Sequence, residues 1–278
     1  MTDFGREIKF GYFLVPNATD PLLATAREAE RRGLDYLGVQ DHPYQRRYVD
    51  TWTLLSMIGA STERIGLFPD VANLPLRPPA VLAKAAASLD LLTGGRVELG
   101  LGAGGFTDAI AAYGGPRRTP GESLDALAEA IEVIRLVWSG ERNLRFDGRH
   151  YRLAGAHSGP VPAHPIGIWL GVYGPRALAL TARHADGWVP SLQGDPKRLV
   201  EMSARLDAAA ADAGRDPAEI RRVLNVRVDD ADQLSDLALG LGFDTFVYWN
   251  EEPDRLARFA EEVVPAVRAQ VAEERGTA

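Results

Sequence analysis

Eight short runs of aliphatic, aromatic and β-branched residues, each followed by a segment of helical period, alternate along this 278-residue chain. That alternation limits the available folds more than any other feature. The runs lie at 8–15, 35–40, 64–71, 96–101, 166–171, 187–190, 220–228 and 244–248. The helical segments span 20–32, 50–61, 79–92, 120–138, 175–184, 196–213, 231–241 and 253–274. Their period shows residue by residue, as in Leu22, Leu23, Ala26 and Ala29, or the stripe Leu124, Leu127, Ile131 and Ile134. Asp20 before Pro21 reads as an N-cap with proline at the first helical position, and Gly33 and Gly94-Gly95 read as stops. Strand–helix pairs in series build a parallel sheet, and eight of them close a (β/α)8 TIM barrel. A doubly wound sheet accepts six or seven. The expected fold is therefore α/β, a (β/α)8 barrel in a single domain over 1–278, near the ~250 residues usual for such barrels. One stretch interrupts the alternation: 145–153, turning at Asp147-Gly148, reads as a β-hairpin in an insertion near 143–165. The charged tail from Ala272 reads as frayed.

Composition removes several kinds of function. The chain has no cysteine, which excludes a disulfide framework, a thiol nucleophile and cysteine-ligated metal sites. A formal net charge of −7 offers no overall field for a polyanion, so no nucleic-acid partner is expected. No apolar run approaches the ~18 residues of a membrane helix, and the first nine residues contain no apolar signal core. The expectation is a cytoplasmic protein acting on a small molecule, with no membrane partner. No metal-ligand spacing, G-x-S-x-G elbow or P-loop lysine is present.

In parallel barrels the working residues sit at the C-terminal ends of strands and in the loops that follow. The second strand ends Gln40-Asp41-His42-Pro43, and His42 is the leading candidate for polar chemistry, since an imidazole can give a proton or a hydrogen bond near neutral pH. Asp41 points to the opposite face and is expected to orient a loop rather than the ring. A histidine capping the next loop is the alternative, and position alone does not separate the two. The third strand ends Asp70-Val71-Ala72-Asn73 and the fourth runs into Gly102-Ala103-Gly104-Gly105. Gly100 to Gly105 satisfies G-x-G-x-x-G, but a dinucleotide fingerprint follows the first strand of its unit and opens a helix at once. Here it follows the fourth strand, and glycines that let a planar ring approach the backbone fit better. The fifth strand ends Gly171-Val172-Tyr173-Gly174-Pro175-Arg176. A glycine turn before a helix presents free N–H groups that suit a phosphate, to which Arg176 adds charge, although a plain turn with proline at the first helical position explains the same residues. The sixth ends in Trp188-Val189-Pro190-Ser191. His157 and His164, in a proline-rich connection, are candidates to fold over the site, with Trp52, Tyr44, Phe106 and Trp249 as candidate apolar walls.

Four segments in this order resemble the luciferase-like monooxygenase superfamily: DYLGVQDHP at 35–43, LRPPAVLAK at 76–84, LDLLTGGRVELGLGAG at 89–104, and IWLGVYGPR at 168–176 followed by ADGW at 185–188. FDGRHYRL at 146–153 resembles the family's hairpin. The resemblance implies a barrel of the bacterial-luciferase-like type whose cofactor is the deazaflavin coenzyme F-420 (also written F420) or FMN. It implies a ring at the barrel mouth against Asp70, Val71, Ala72, Gly102, Ala103 and Gly104. It further implies a phosphate near Gly171, Tyr173, Gly174, Pro175, Arg176 and Ser191, with His42 close to the reactive face. The family often carries a non-prolyl cis bond behind the ring, placed here within 69–72. Sugar-phosphate dehydrogenases of the superfamily carry a catalytic glutamate just after the fourth-strand glycines; this chain has Gly105. The resemblance also points to a homodimer formed through barrel helices.

The function so implied is flavin- or deazaflavin-dependent oxidation or reduction, by hydride transfer or monooxygenation, of a small organic substrate. Two alternatives stand beside it: an NAD-dependent dehydrogenase resting on the glycine run, and a flavin-binding barrel without activity, to which Gly105 lends weight.

Overall fold

The computed structural model describes residues 2–191, 196–250 and 252–276. Its strands are β1 (Lys9–Leu14), β2 (Tyr36–Val39), β3 (Gly66–Pro69), β4 (Ala72–Asn73), β5 (Leu99–Gly102), β6 (Leu144–Asp147), β7 (Arg152–Ala156), β8 (Ile168–Leu170), β9 (Gly187–Trp188), β10 (Arg221–Val226) and β11 (Thr245–Tyr248). All but β6 and β7 join one parallel sheet in the order β3-β2-β1-β11-β10-β9-β8-β5-β4. Strands β3 and β4 are the lower and upper halves of one stave, broken at a cis Asp70-Val71 peptide bond. The sheet closes across that stave: the Leu67 N–H donates to the Arg96 carbonyl at 2.7 Å and the Glu98 N–H to the Leu67 carbonyl at 2.9 Å. Counting β3 and β4 together gives eight staves, and the expected TIM barrel is what forms.

The helices of the outer layer are α1 (Leu22–Arg31), α2 (Thr51–Ser61), α3 (Pro79–Thr93), α4 (Thr107–Ala112), α5 (Pro120–Trp138), α6 (Pro175–His184), α7 (Pro196–Asp212) and α8 (Ala231–Leu241). The chain then continues as α9 (Pro253–Arg258), a π turn over Phe259–Val263 and α10 (Val264–Gly276). Local chemistry sets several of these boundaries. Asp50 caps α2 by accepting the Thr53 N–H at 2.9 Å. Thr119 and Glu122 close a capping box at the start of α5. Gly94, at φ +72°, ends α3 in the left-handed conformation.

Two ends depart from the sequence reading. Asp20 does not cap α1; its carboxylate instead receives the Asn17 amide at 3.3 Å, and the helix begins one residue later than expected, at Leu22. The charged tail is not frayed from Ala272 but remains helical to Gly276. Arg275 forks onto Asp3, with both N–O distances 2.8 Å, and ties the tail to the N-terminal segment. The short helix α4, in the loop after β5, has no clear period and was not anticipated.

A plug of side chains fills the barrel. Phe68, Trp169, Val189, Val223 and Val247 form one buried cluster, with Phe13, Tyr36 and Val71 packed against it. Tyr36, Phe68 and Trp169 meet edge to face, with ring centroids 5.2–6.2 Å apart. The plug seals the interior, so the upper end of the barrel is a floor on which a ligand can rest rather than a pore.

Val71 lies at the top of that plug. Side chains built on Gly102 and Gly171 would come within 2.8 and 2.9 Å of its methyl groups, and one on Gly100 would overlap the Pro69 carbonyl oxygen. The broken stave therefore fits only against bare backbone on β5 and after β8. Gly100→Ala is expected to cost about 1–3 kcal/mol, the usual range for overpacking, seen as a lower thermal unfolding midpoint. A variant as stable as the parent would contradict this packing.

Candidate active site

A cavity of about 1010 Å³ opens at the C-terminal ends of the strands. His42, Asp70, Val71, Ala72, Gly102, Ala103, Gly104, Gly171, Tyr173, Gly174, Pro175, Arg176 and Ser191 all line it. Residues from five connections, the first and last more than a hundred positions apart in sequence, are thereby brought to one concave surface. Of the four aromatic residues considered as walls, Tyr44, Phe106 and Trp249 are there. Trp52 is not: it sits in α2 and packs into the layer between helices and barrel. His157 and His164 do not line the cavity either. His164 lies at the opposite end of the barrel, its Nδ1 2.8 Å from Asp90 Oδ1, because the connection after the hairpin returns to the strand starts.

Asp41 is fully buried and holds the loops around the site in register. It accepts the Asn73 N–H at 2.9 Å and a fork from Arg77 at 2.8 and 2.9 Å, and Arg77 also reaches the α2 cap Asp50 at 2.7 Å. Breaking a buried, hydrogen-bonded pair of this kind typically costs about 3–5 kcal/mol. The next residue, His42, is presented on the other face. Its ring stacks on Tyr44 at 5.4 Å and meets Phe106 edge-on at 5.2 Å. Burial holds the imidazole below its ordinary pKa, with Asp41 opposing. The Gln40 amide nitrogen is 3.2 Å from His42 Nδ1. An amide nitrogen only donates, so Nδ1 accepts and the neutral ring carries its proton on Nε2. The arrangement is a hydrogen-bond donor at neutral pH, without positive charge.

Across the floor, Asp70 is only 6% exposed. Its Oδ1 accepts the Asn225 amide at 3.0 Å, and burial pushes its carboxyl up to about 7. Asp70 Oδ2, Asn225 Oδ1, Asn73 Oδ1 and Tyr44 OH are buried polar atoms without a partner among the described residues, and all four residues line this one cavity. Unpaired buried polar groups are rare because each carries its full desolvation cost. These four lie beneath the cavity surface, each closed off from solvent by protein atoms. The surface itself is the ledge of Val71 and bare glycine backbone, which suits a flat heteroaromatic ring.

The opposite end of the cavity suits an anion. Helix α6 starts at Gly174 with no side-chain cap, leaving first-turn N–H groups free under the positive end of the helix dipole. Arg176 in that turn is exposed, with Asp125 at 3.7 Å. The glycine run itself is used differently from a dinucleotide turn. Gly100 and Gly102 make room for the broken stave, Gly104 at φ +87° packs on Pro75, and Gly105 faces open space.

Sequence reasoning did not assign Phe13, Asn225 and Arg227 to the site and gave Gln40 and Asn73 no role beyond a place at their strand ends; all five line the cavity. A signal for Gln40 and Asn225 exists. The residues filling the barrel include Tyr36, Phe68, Trp169, Val189, Val223 and Val247, and strand side chains alternate between faces. Stepping two or four residues on from each gives Gln40, Asp70, Gly171, Ser191, Asn225 and Trp249, which are mouth residues.

The comparisons with known proteins agree with this geometry. A family model described as luciferase-like monooxygenase matches residues 8–273. An F420-dependent hydroxymycolic acid dehydrogenase of Mycobacterium tuberculosis is 37% identical over 211 residues, covering 72% of this chain and 56% of that protein. An F420-dependent glucose-6-phosphate dehydrogenase of Nocardia farcinica is 33% identical over 210 residues, covering 72% of this chain and 62% of that one. The chain thus spans little more than half the length of these relatives. A riboflavin lyase solved with modified FMN and riboflavin superposes with a TM-score of 0.82 at 17% identity, covering 95% of this chain and 92% of that one, which speaks for the fold. With nearly its whole length matched, the chain belongs to the luciferase-like monooxygenase family.

Proposed function

We propose that this chain is an oxidoreductase that uses a deazaflavin, coenzyme F-420, to oxidise or reduce a small organic molecule at the barrel mouth. The observation that carries the proposal is the ledge of Val71 and bare glycine backbone on the cavity floor, facing a wall that ends in an uncapped helix N-terminus. F-420 is preferred over FMN because the names of the two sequence relatives above specify it; FMN, held by the structural neighbour, is the second candidate. When bound, either ring supplies hydride chemistry, and with FMN monooxygenation is the alternative outcome. The chain's own residues do the rest. The α6 N-terminus and Arg176 hold the phosphate end, with Tyr173 and Ser191 beside them. Val71, Gly102, Ala103 and Gly104 bear the ring. Tyr44, Phe106, Phe13 and Trp249 exclude water above it. His42 Nε2–H is positioned to give a hydrogen bond to a reacting oxygen.

Gly105 stands where the resemblance places the glutamate of sugar-phosphate dehydrogenases, and among the described residues no other side chain reaches that spot within 4 Å. The substrate we infer is therefore a less polar alcohol or carbonyl compound rather than a sugar phosphate. The exposed Phe106 and the aromatic wall favour the same choice. The chain is proposed to act in the cytoplasm as one barrel domain, as a homodimer and without nucleic acid, in keeping with its acidic composition. No helix among the described residues is long and apolar enough to cross a membrane.

Titrating the purified protein with F-420 and FMN while following ligand fluorescence tests the cofactor. Saturable binding with F-420 tighter is expected; binding of neither would overturn the reading. His42→Ala is expected to bind cofactor normally but to lose about a hundred- to a thousandfold in turnover, the cost of removing one hydrogen-bond donor from a transition state. Because the neutral ring is the working form and its pKa is lowered, parental kcat/KM should fall only well on the acid side of the usual imidazole range, and this acid limb should vanish in the variant. Unchanged turnover would reduce His42 to a loop cap.

A further inference from the structure

The two carboxyl groups of the cavity are out of a ligand's reach: Asp41 is taken up by Arg77 and Asn73, and Asp70 is buried beneath the surface. The charges left on the described wall are Arg176 and Arg227, both exposed. Arg176 belongs to the phosphate end, at the start of α6. Arg227 has no ion pair or hydrogen bond among the described residues. Asp229, the acid nearest to it along the chain, is held by Arg255 and Arg258 at 3.3 and 3.5 Å. Its position is nevertheless fixed, because the guanidinium carbon lies 3.3 Å from the centre of the Trp249 ring. Strand register explains the stack. Val226, Tyr248, Tyr12 and Leu37 align across β10, β11, β1 and β2, and the Trp249 N–H still donates to the Val226 carbonyl at 2.8 Å. One residue further on, Arg227, Trp249 and Phe13 form a row on the face that Asn225 and Val247 occupy two residues below. The Trp249 and Phe13 rings are 5.9 Å apart, and the next stave, β2, leads to His42. Stacking covers one face of the guanidinium and leaves its in-plane N–H donors free for a ligand in the cavity.

We propose that Arg227 sets substrate specificity by receiving the carboxylate of an oxo or hydroxy acid whose reacting oxygen lies at His42. The inference rests on the function proposed above and names the substrate class within it. Three strand spacings of about 4.8 Å separate the two residues along the sheet. That is too far for an oxygen and a carboxylate on neighbouring carbons, so the two groups stand at opposite ends of the substrate. Trp249 and Phe13 occupy the staves between, and their rings match an apolar chain joining those ends. A single guanidinium fork suits a carboxylate in shape and in charge. A doubly charged phosphate calls for more, and the α6 N-terminus that would supply it follows β8, two staves away across β9. Arg227 takes no part in bond making or breaking; it fixes which molecules are held with their oxygen at His42.

The test uses the protein loaded with oxidised F-420, or with FMN if only FMN binds. The probes are methyl ketones bearing a carboxylate at the far end of a straight chain, in a series of chain lengths, each paired with its methyl ester. An oxidised cofactor cannot reduce a ketone, so calorimetry reads the Kd of a stable complex. Acids long enough to span the row are expected to bind about ten- to a hundredfold more tightly than their esters, the worth of hydrogen bonds to a charged group. Acids with the ketone beside the carboxylate should show no such preference. In Arg227→Met, which keeps an apolar contact with Trp249 but loses the fork, the acid-to-ester ratio should fall to parity, and Arg227→Lys should recover part of it. Acids bound no more tightly than esters at every chain length overturn the inference. So does a preference that survives in Arg227→Met, which would assign the anion to Arg176 or His42. Loss of cofactor affinity in Arg227→Met overturns it as well, by making the arginine a cofactor anchor. Each of these results leaves the cofactor reading intact, because the parent holds its cofactor throughout. Binding of neither F-420 nor FMN by the parent overturns both. The comparison of acid with ester in the parent needs no variant and decides the matter should Arg227→Met fail to fold.

Discussion

The contact on which the rest of the structure depends is Val71 against the bare backbones of Gly102 and Gly171, with Gly100 beneath the Pro69 carbonyl. It lets one barrel stave break in the middle while the sheet still closes. Below the break, β3 pairs with β2; above it, β4 pairs with β5. A continuous strand would have carried its hydrogen bonds through to the rim and left no ledge. The break instead puts Val71 on top of the aromatic plug as part of a floor, and leaves the Asp70 side chain inside the barrel with only Asn225 to bond. Packing at the ångström scale thus decides where a ligand can lie.

Around that floor, two electrostatic devices divide the work. The Asp41–Arg77–Asp50 network is saturated with hydrogen bonds and fixes the loops after β2 and β4 relative to α2. The His42 ring is left with unused hydrogen-bonding capacity, and burial pushes it toward its uncharged form. A neutral donor can meet a reacting oxygen beside a flavin or deazaflavin without placing a counter-charge there. Charge lies on the walls, with Arg227 over the Trp249 ring and Arg176 at the α6 N-terminus, which suits a phosphate. A floor with little charge beneath cationic walls is the physical form of the proposed function.

Much of this was legible in the sequence. Strand and helix periods return the eight staves and nearly every helix, because each element buries one face against one core. The glycine-rich strand ends and His42 pointed to the cavity at the strand ends, since barrels place chemistry at those positions. What escaped detection depends on tertiary partners. Asp20 has the residue type of a cap but is taken by Asn17, and the tail is helical because Asp3, at the other end of the chain, binds Arg275. Trp52 and His164 have the composition of site residues, but the chain path carries one into the helix layer and the other to the far end of the barrel. Asn225 is a single polar residue in an apolar strand, and only knowing that Val223 faces the barrel interior shows that it faces the mouth.

The most direct test is a crystal structure of the protein with F-420 bound. It should show the ring lying on Val71 between Gly102 and Gly171, with His42 Nε2 towards it and the phosphate at the start of α6. A ring seated away from Val71 would contradict the proposed role of the floor.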